Sequence, residues 1–251
     1  MAKQDGIIPL KGTIDNLSFY KSKDGYIARK KVAIDPERLA KDPKFKRTRE
    51  AMANFKKAAA AGKLVRTALR PIANQASDNR VVTRLSTKML EVIKSDATNP
   101  RGKKNVIDGE TELLTGFEFN NNGQLTRSFF VQYDATIDRV MGALQVKVPA
   151  FIPQNMISAP AEATHFQLHI AGLEVDFEQA TYVVVFNSSE KLIWGESENA
   201  AMNLSVQLPA NSTHPLFLVM GITFWIEDIG TMYALQNGAY NALAIIKVSG
   251  V

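Results

Sequence analysis

The chain has no cysteine, which excludes disulfide frameworks, thiolate metal sites and cysteine nucleophiles. Aromatic residues are also scarce, at 8%, so few rings interleave with charges as a base-stacking surface requires. Long apolar runs are missing too. The longest, residues 216–226, is interrupted by Gly221 and Thr223 and is too short to cross a bilayer as a helix. The first residues, MAKQDGIIPLKGTIDN, contain no apolar core of the secretory type. These features predict a soluble protein, cytoplasmic at synthesis, with no membrane insertion. No glycine-rich phosphate loop occurs: the run KAAAAGK over 57–63 has Lys57 where the first glycine is needed. No nucleophile elbow is present either. The expectation is a chain that is not an enzyme and holds no cofactor.

The last scarcity is of basic residues beyond position 104. Residues 1–104 hold 25 Lys and Arg against 10 Asp and Glu, a net +15, whereas residues 105–251 hold 5 against 15, a net −10. The overall +5 therefore conceals a dipolar chain. Such halves attract within one molecule, meet head to tail between molecules, or leave the basic half free for an acidic partner.

What is present reads as α+β. Residues 1–32 form a β-hairpin arm: Leu17 to Tyr20 alternate, Asp24-Gly25 supplies a tight turn and Tyr26 to Lys31 returns. Ile7, Ile8, Leu10 and Ile14 precede it in an extended stretch broken by Pro9, as suits an edge strand. Residues 33–104 form a basic helical segment. Asp35-Pro36 and Asp42-Pro43 are helix starts. From there Phe45, Thr48, Met52, Phe55 and Ala59 share a face, and Gly62 is expected to end the helix. A second helix turns Leu64, Val65, Ala68, Leu69 and Ile72 inward, with Lys63, Arg66 and Arg70 opposite. A third, from Asp78, buries Val82, Leu85, Met89 and Ile93 and places Arg80, Arg84 and Lys88 on its far face.

Residues 105–251 read as an all-β sandwich of about nine or ten strands. Leu114–Phe119 and Leu125–Tyr133 flank the Asn120–Gly123 turn as a hairpin. Leu144 to Val148, Phe166 to Ile170, Leu173 to Phe177 and Met202 to Leu208 alternate, and the fully apolar strands are expected at the centre.

The candidate sites are few. Lys63, Arg66, Arg70, Arg80, Arg84 and Lys88 are assembly or anion-binding candidates, since three consecutive basic faces add into one field. Glu174, Asp176 and Glu178 recur every second residue as an acidic face, a docking surface for a basic neighbour. His165 and His169 are expected to point outward, because four residues of strand, about 13 Å, are too far apart for two ligands of one metal ion.

The segments GTIDNLSFYKSKDGYIARKK, FKRTREAMANF and NGAYNALAIIKV resemble those of an uncharacterised bacterial protein family of this length. The resemblance covers the whole chain. It implies the same hairpin, Arg-rich helices and β-rich C-terminal half, and it brings no catalytic residues. Taken together, the sequence leads to a self-assembling structural protein: a filament, tube or shell subunit of virion-like type, a homo-oligomer or polymer joined by charge-complementary contacts and by strand exchange from the arm. A nucleic-acid-binding protein using the basic helical faces is the alternative, and a carbohydrate- or ligand-binding sandwich a third.

Overall fold

A computed structural model describes residues 2–4, 9–22, 25–30, 35–235 and 238–250. The chain divides into two compact units, residues 1–49 and 50–251. It is mixed α+β, as expected, with an N-terminal hairpin, helices and a C-terminal multi-strand region.

In the first unit, β1 (Ala2–Lys3), β2 (Gly12–Ile14), β3 (Leu17–Ser22) and β4 (Gly25–Lys30) form an antiparallel sheet in the order β1-β4-β3-β2. Asp15, at φ 50°, makes the β2–β3 turn. The expected Asp24-Gly25 turn lies partly outside the described residues, as do Ile7, Ile8 and Lys31. Helix α1 (Pro36–Lys41) starts as its chemistry requires, the Asp35 carboxylate accepting from Glu37 N–H and Pro36 occupying the first turn. Asp42 caps the next turn in the same way, and Arg49 Nη1 donates to the Leu39 and Asp42 carbonyls. Ile27 is the only buried apolar residue among the described side chains of this unit.

The next helix, α2 (Lys46–Ala68), runs straight through Gly62. Two expectations change here. Gly62 does not end the helix, because one interior glycine costs only about 1 kcal/mol against alanine, and this one packs against Leu85 and Ser86. The buried face is Ala58, Ala61, Val65 and Ala68, whereas Met52 and Phe55 are exposed. After the short α3 (Arg70–Ala73), α4 (Val81–Ser95) buries Leu85, Met89 and Ile93 as expected, joined by Val81 and Val92, while Val82 faces out.

The expected hairpin over 114–133 is absent. Residues 116–119 bond instead to the last strand, Gly116 N–H donating to Ile245 and Phe119 N–H to Leu243. Leu125–Ser128 becomes a single helical turn, α5, whose first N–H is taken by the Glu118 carboxylate. A long-range edge competed with the local turn and won.

Beyond it lie β5 (Asp134–Asp138), β6 (Ala143–Val148), the short α6 (Pro153–Met156), β7 (His165–Asp176), β8 (Thr181–Ser188), β9 (Leu192–Ile193), β10 (Met202–Gln207), β11 (Leu216–Asp228), β12 (Thr231–Leu235) and β13 (Ala242–Ser249). They make two antiparallel sheets. One has the order β10-β6-β5; the other runs β12-β11-β7-β8, with β13 beside β11 and β9 beside β7.

The six-stranded sheet is apolar on both faces. Ala171, Leu173, Val175, Phe217, Val219, Leu243 and Ile245 join the buried residues of α2 and α4 in one cluster. Phe166, Leu168, Ile170, Leu218, Met220 and Ile222 join Leu144, Val146, Leu204 and Val206 of the three-stranded sheet in another. This explains a change of phase in the sequence. Along β7 the apolar residues are even-numbered to Ile170 and odd-numbered from Ala171, because the odd face joins the helix-side cluster from Ala171 onward while the even face, with Gly172 and Glu174, stays beneath the second sheet. Close approach of the sheets needs Gly172, where a Cβ would lie 2.6 Å from Val206 Cγ2. Strand β11, expected at the centre because it is apolar throughout, lies there.

Candidate functional site

The six basic candidates separate into two kinds. Lys63, Arg70 and Arg80 are exposed, and Arg66 is half-buried. Arg84 is not on an outer face. Its Nη1 donates to Glu118 O at 2.5 Å, and its Nη2 to Phe119 O at 3.0 Å and to Asp78 Oδ2 at 2.6 Å, with the guanidinium over the Phe117 ring. Burial raises the Asp78 pKa, but Asn121 and Arg80 N–H groups and the Arg84 guanidinium outweigh it and hold the carboxyl below the usual range. Arg84 is therefore a latch between α4 and the 117–119 segment. Lys88 pairs with Glu91 at 2.7 Å. Of the basic stripe expected along α4, Arg80 is the one outward charge with no ion pair among the described residues.

The acidic candidates do not share a solvated face. Glu174 is buried and accepts from Ser212 Oγ at 2.7 Å, because the even face of β7 is covered by the second sheet. Asp176 accepts the N–H groups of Glu178 and Gln179 and lies 3.9 Å from His214 Nε2. Backbone donation from Gln179 holds its carboxyl low despite some loss of hydration, with Glu178 N–H and His214 adding to the effect. Glu178 is past the strand end, exposed, and borders a cavity of about 240 Å³ with Lys57, Leu64, Ile107 and Phe177.

The histidines depart from expectation as well. His165 is buried beside Thr164 Oγ1, and His169 is largely enclosed. His169 Nδ1 lies 2.8 Å from Ser188 Oγ, and its Nε2 2.7 Å from Thr223 Oγ1, so one ring bridges β8, β7 and β11. Burial pushes its pKa down to about 4. Among the described residues no acidic group bonds to this Ser–His–Thr array, so it acts as a neutral tie between strands.

Three ties escaped sequence reasoning. Arg139 donates to the carbonyls of Ser212, His214, Ser249 and Gly250, clamping the end of β13 to the loop before β11. Lys247 Nζ donates to Ala135 O, and Lys191 Nζ stacks over the Trp225 ring at 3.7 Å. The available signal was scarcity: these are three of the five basic residues after position 104. A further tie, of the opposite charge, is Asp96. Loss of hydration raises its pKa, but the Asn99 backbone and side chain, Asn105 and Thr98 donate to the carboxylate and hold it at about 2.

Among the described residues no group of three or more His, Asp or Glu side chains is placed to hold a metal ion, and no helix is long and apolar enough to cross a membrane. The surfaces that stand out are apolar ones. Ile14, Leu17 and Leu10 are exposed in the first unit, and Tyr182, Val183 and Phe186 along β8 in the second. No protein family, curated protein or solved structure matches the chain.

Proposed function

We propose that the chain is a non-enzymatic, self-assembling structural subunit whose copies join head to tail. The observation that carries this reading is the first unit. Among its described residues this four-stranded sheet buries one apolar side chain, Ile27, and leaves Ile14 60% exposed, which is little core for a sheet in water. It needs a partner surface. Its charge names one: residues 1–49 carry 13 Lys and Arg against 6 Asp and Glu, while residues 148–246 carry nine acidic side chains and Lys191 as their only Lys or Arg. We read the nine strands from β5 to β13 as a two-sheet sandwich that presents this acidic surface, and open head-to-tail contacts between such unlike surfaces build filaments, tubes or shells.

Light scattering and electron micrographs of the purified chain test the proposal. Assemblies are expected at low salt, dissolving towards about 0.5 M salt, where the screening length falls to a few Å. A monomer at every salt concentration overturns it. The nucleic-acid alternative is weakened by the inward turn of Arg84 and the pairing of Lys88 with Glu91. Under the assembly reading, a mobility-shift titration at low salt detects no complex at micromolar protein.

A further inference from the structure

Strand β8 is the open edge of the six-stranded sheet. It pairs with β7 along its whole length, from His169↔Ser188 to Asp176↔Thr181, and with no other strand among the described residues. Its far side therefore presents a row of backbone donors and acceptors. Natural edges are blunted by charge, proline or bulges. Here the sequence is TYVVVFNS, with none of these devices and no break in register. Tyr182 and Phe186 project on one face and Val183 on the other, each more than a third exposed. The neighbouring edge, β10, is polar outward, and its Ser205 carbonyl is already taken by Asn187 Nδ2.

We infer that the β8 edge is the acceptor for the N-terminal sheet of a second copy, which adds its own free edge strand, β2, along β8. This rests on the assembly reading and gives it a place on the molecule. Among the described residues β2 pairs with β3 on one side and with no strand on the other. Ile14 stands opposite Leu17, and both are exposed on a face shared with Phe19 and Tyr26. That apolar face is rimmed by lysine: Lys11 and Lys21 lie over the Tyr26 ring, and Lys30 stands opposite Leu17. The rim of β8 has the opposite sign. Exposed Glu178 and Glu190 bracket the strand, and no Lys or Arg occurs between Lys147 and Lys191. Apolar centres with complementary rims fit each other. Pairing of β8 with β8 of a second copy fits less well, since aligning Tyr182 with Phe186 sets Glu178 against Glu190.

The absence of cysteine makes the contact directly testable. Full-length chains carrying Ile14→Cys are mixed with full-length chains carrying either Tyr182→Cys or Val183→Cys and oxidised at low salt. A mixed disulfide between the two kinds of chain is expected, and because each chain has one thiol it reports contact between copies. A disulfide found only between two Tyr182→Cys or two Val183→Cys chains overturns the inference in favour of a symmetric β8 pair. Assemblies without any mixed disulfide overturn it while leaving the assembly reading standing, whereas absence of assemblies from the unsubstituted chain removes both. A second variant, Val183→Lys, places a cation on the edge. It is expected to raise the concentration at which assemblies appear by about tenfold or more, with the circular dichroism of the strands unchanged; assembly at the unsubstituted chain's concentration refutes the site.

Discussion

Residues 2–49 and residues 50–250 place their apolar side chains in opposite ways. The first group builds a four-stranded sheet in which, among the described residues, Leu10, Ile14, Leu17 and Tyr20 are exposed and Ile27 alone is a buried apolar residue. The second builds three layers with an apolar cluster on each side of the middle sheet. A strand count would call both regions β-rich; burial separates them. Layers that cover one another make a folding unit, and one sheet by itself has no second layer to do so.

The comparison breaks first if the core does not behave as one. Phe166→Ala removes a fully buried ring between the sheets, and a loss of about 3–5 kcal/mol is expected in urea unfolding. In the dissociated chain at high salt, Leu17→Ala is expected to change stability by no more than about 0.5 kcal/mol. Equal effects at the two sites would erase the distinction.

A second test separates latch from surface among the basic residues. Arg84→Ala removes the guanidinium that donates to Asp78 and to two carbonyls, and a loss of roughly 3 kcal/mol is expected, against about 0.5 kcal/mol or less for exposed Lys63→Ala. Similar small losses for both would return Arg84 to the outer face.

The third sharpens the comparison through pH, since the enclosed histidine belongs to the second unit. His169 has a folded pKa of about 4, below its ordinary value of 6.5. The unfolded chain therefore takes up a proton first as pH falls. Stability conferred by the neutral ring is complete above about pH 6.5 and is lost on the way down to pH 4, by up to roughly 3 kcal/mol. Thermal unfolding between pH 7 and 4.5 should show a decline that is reduced in His169→Gln; an identical decline in the variant would assign it to other groups.

The smallest effect is a gain. A Cβ at Gly62 meets its nearest neighbour, Leu85 Cγ, at 3.5 Å, which is ordinary contact. Gly62→Ala is expected to stabilise the chain by about 0.5–1 kcal/mol, and destabilisation would mean that the α2–α4 crossing is tighter than described.

Sequence patterns reached the local features well. The Asp-Pro helix starts, the Leu85–Met89–Ile93 stripe and the central place of β11 follow from capping chemistry and periodicity that neighbours along the chain determine. Failure came wherever a distant partner decided the outcome. The 120–123 turn closed no hairpin because β13, more than a hundred residues away, offered residues 116–119 an edge. Arg84 left its stripe for carbonyls over thirty residues away. Glu174 reads as part of an acidic docking face because nothing local announces the second sheet above β7. The free edge of β8 was invisible for the same reason: TYVVVF reads as an interior strand, and only the strand order reveals that one side is open.

The position of β11 has a consequence for synthesis on the ribosome. Its pairing with β7 spans some fifty residues, its other side waits for β12 and β13, and β13 follows every other described strand. Helices α2 and α4 emerge more than a hundred residues earlier, with the surface meant for the middle sheet still uncovered. A chain released before residue 242 would lack β13 and leave part of its central strand without a neighbour, so the middle sheet stays incomplete until residues 242–249 have been made.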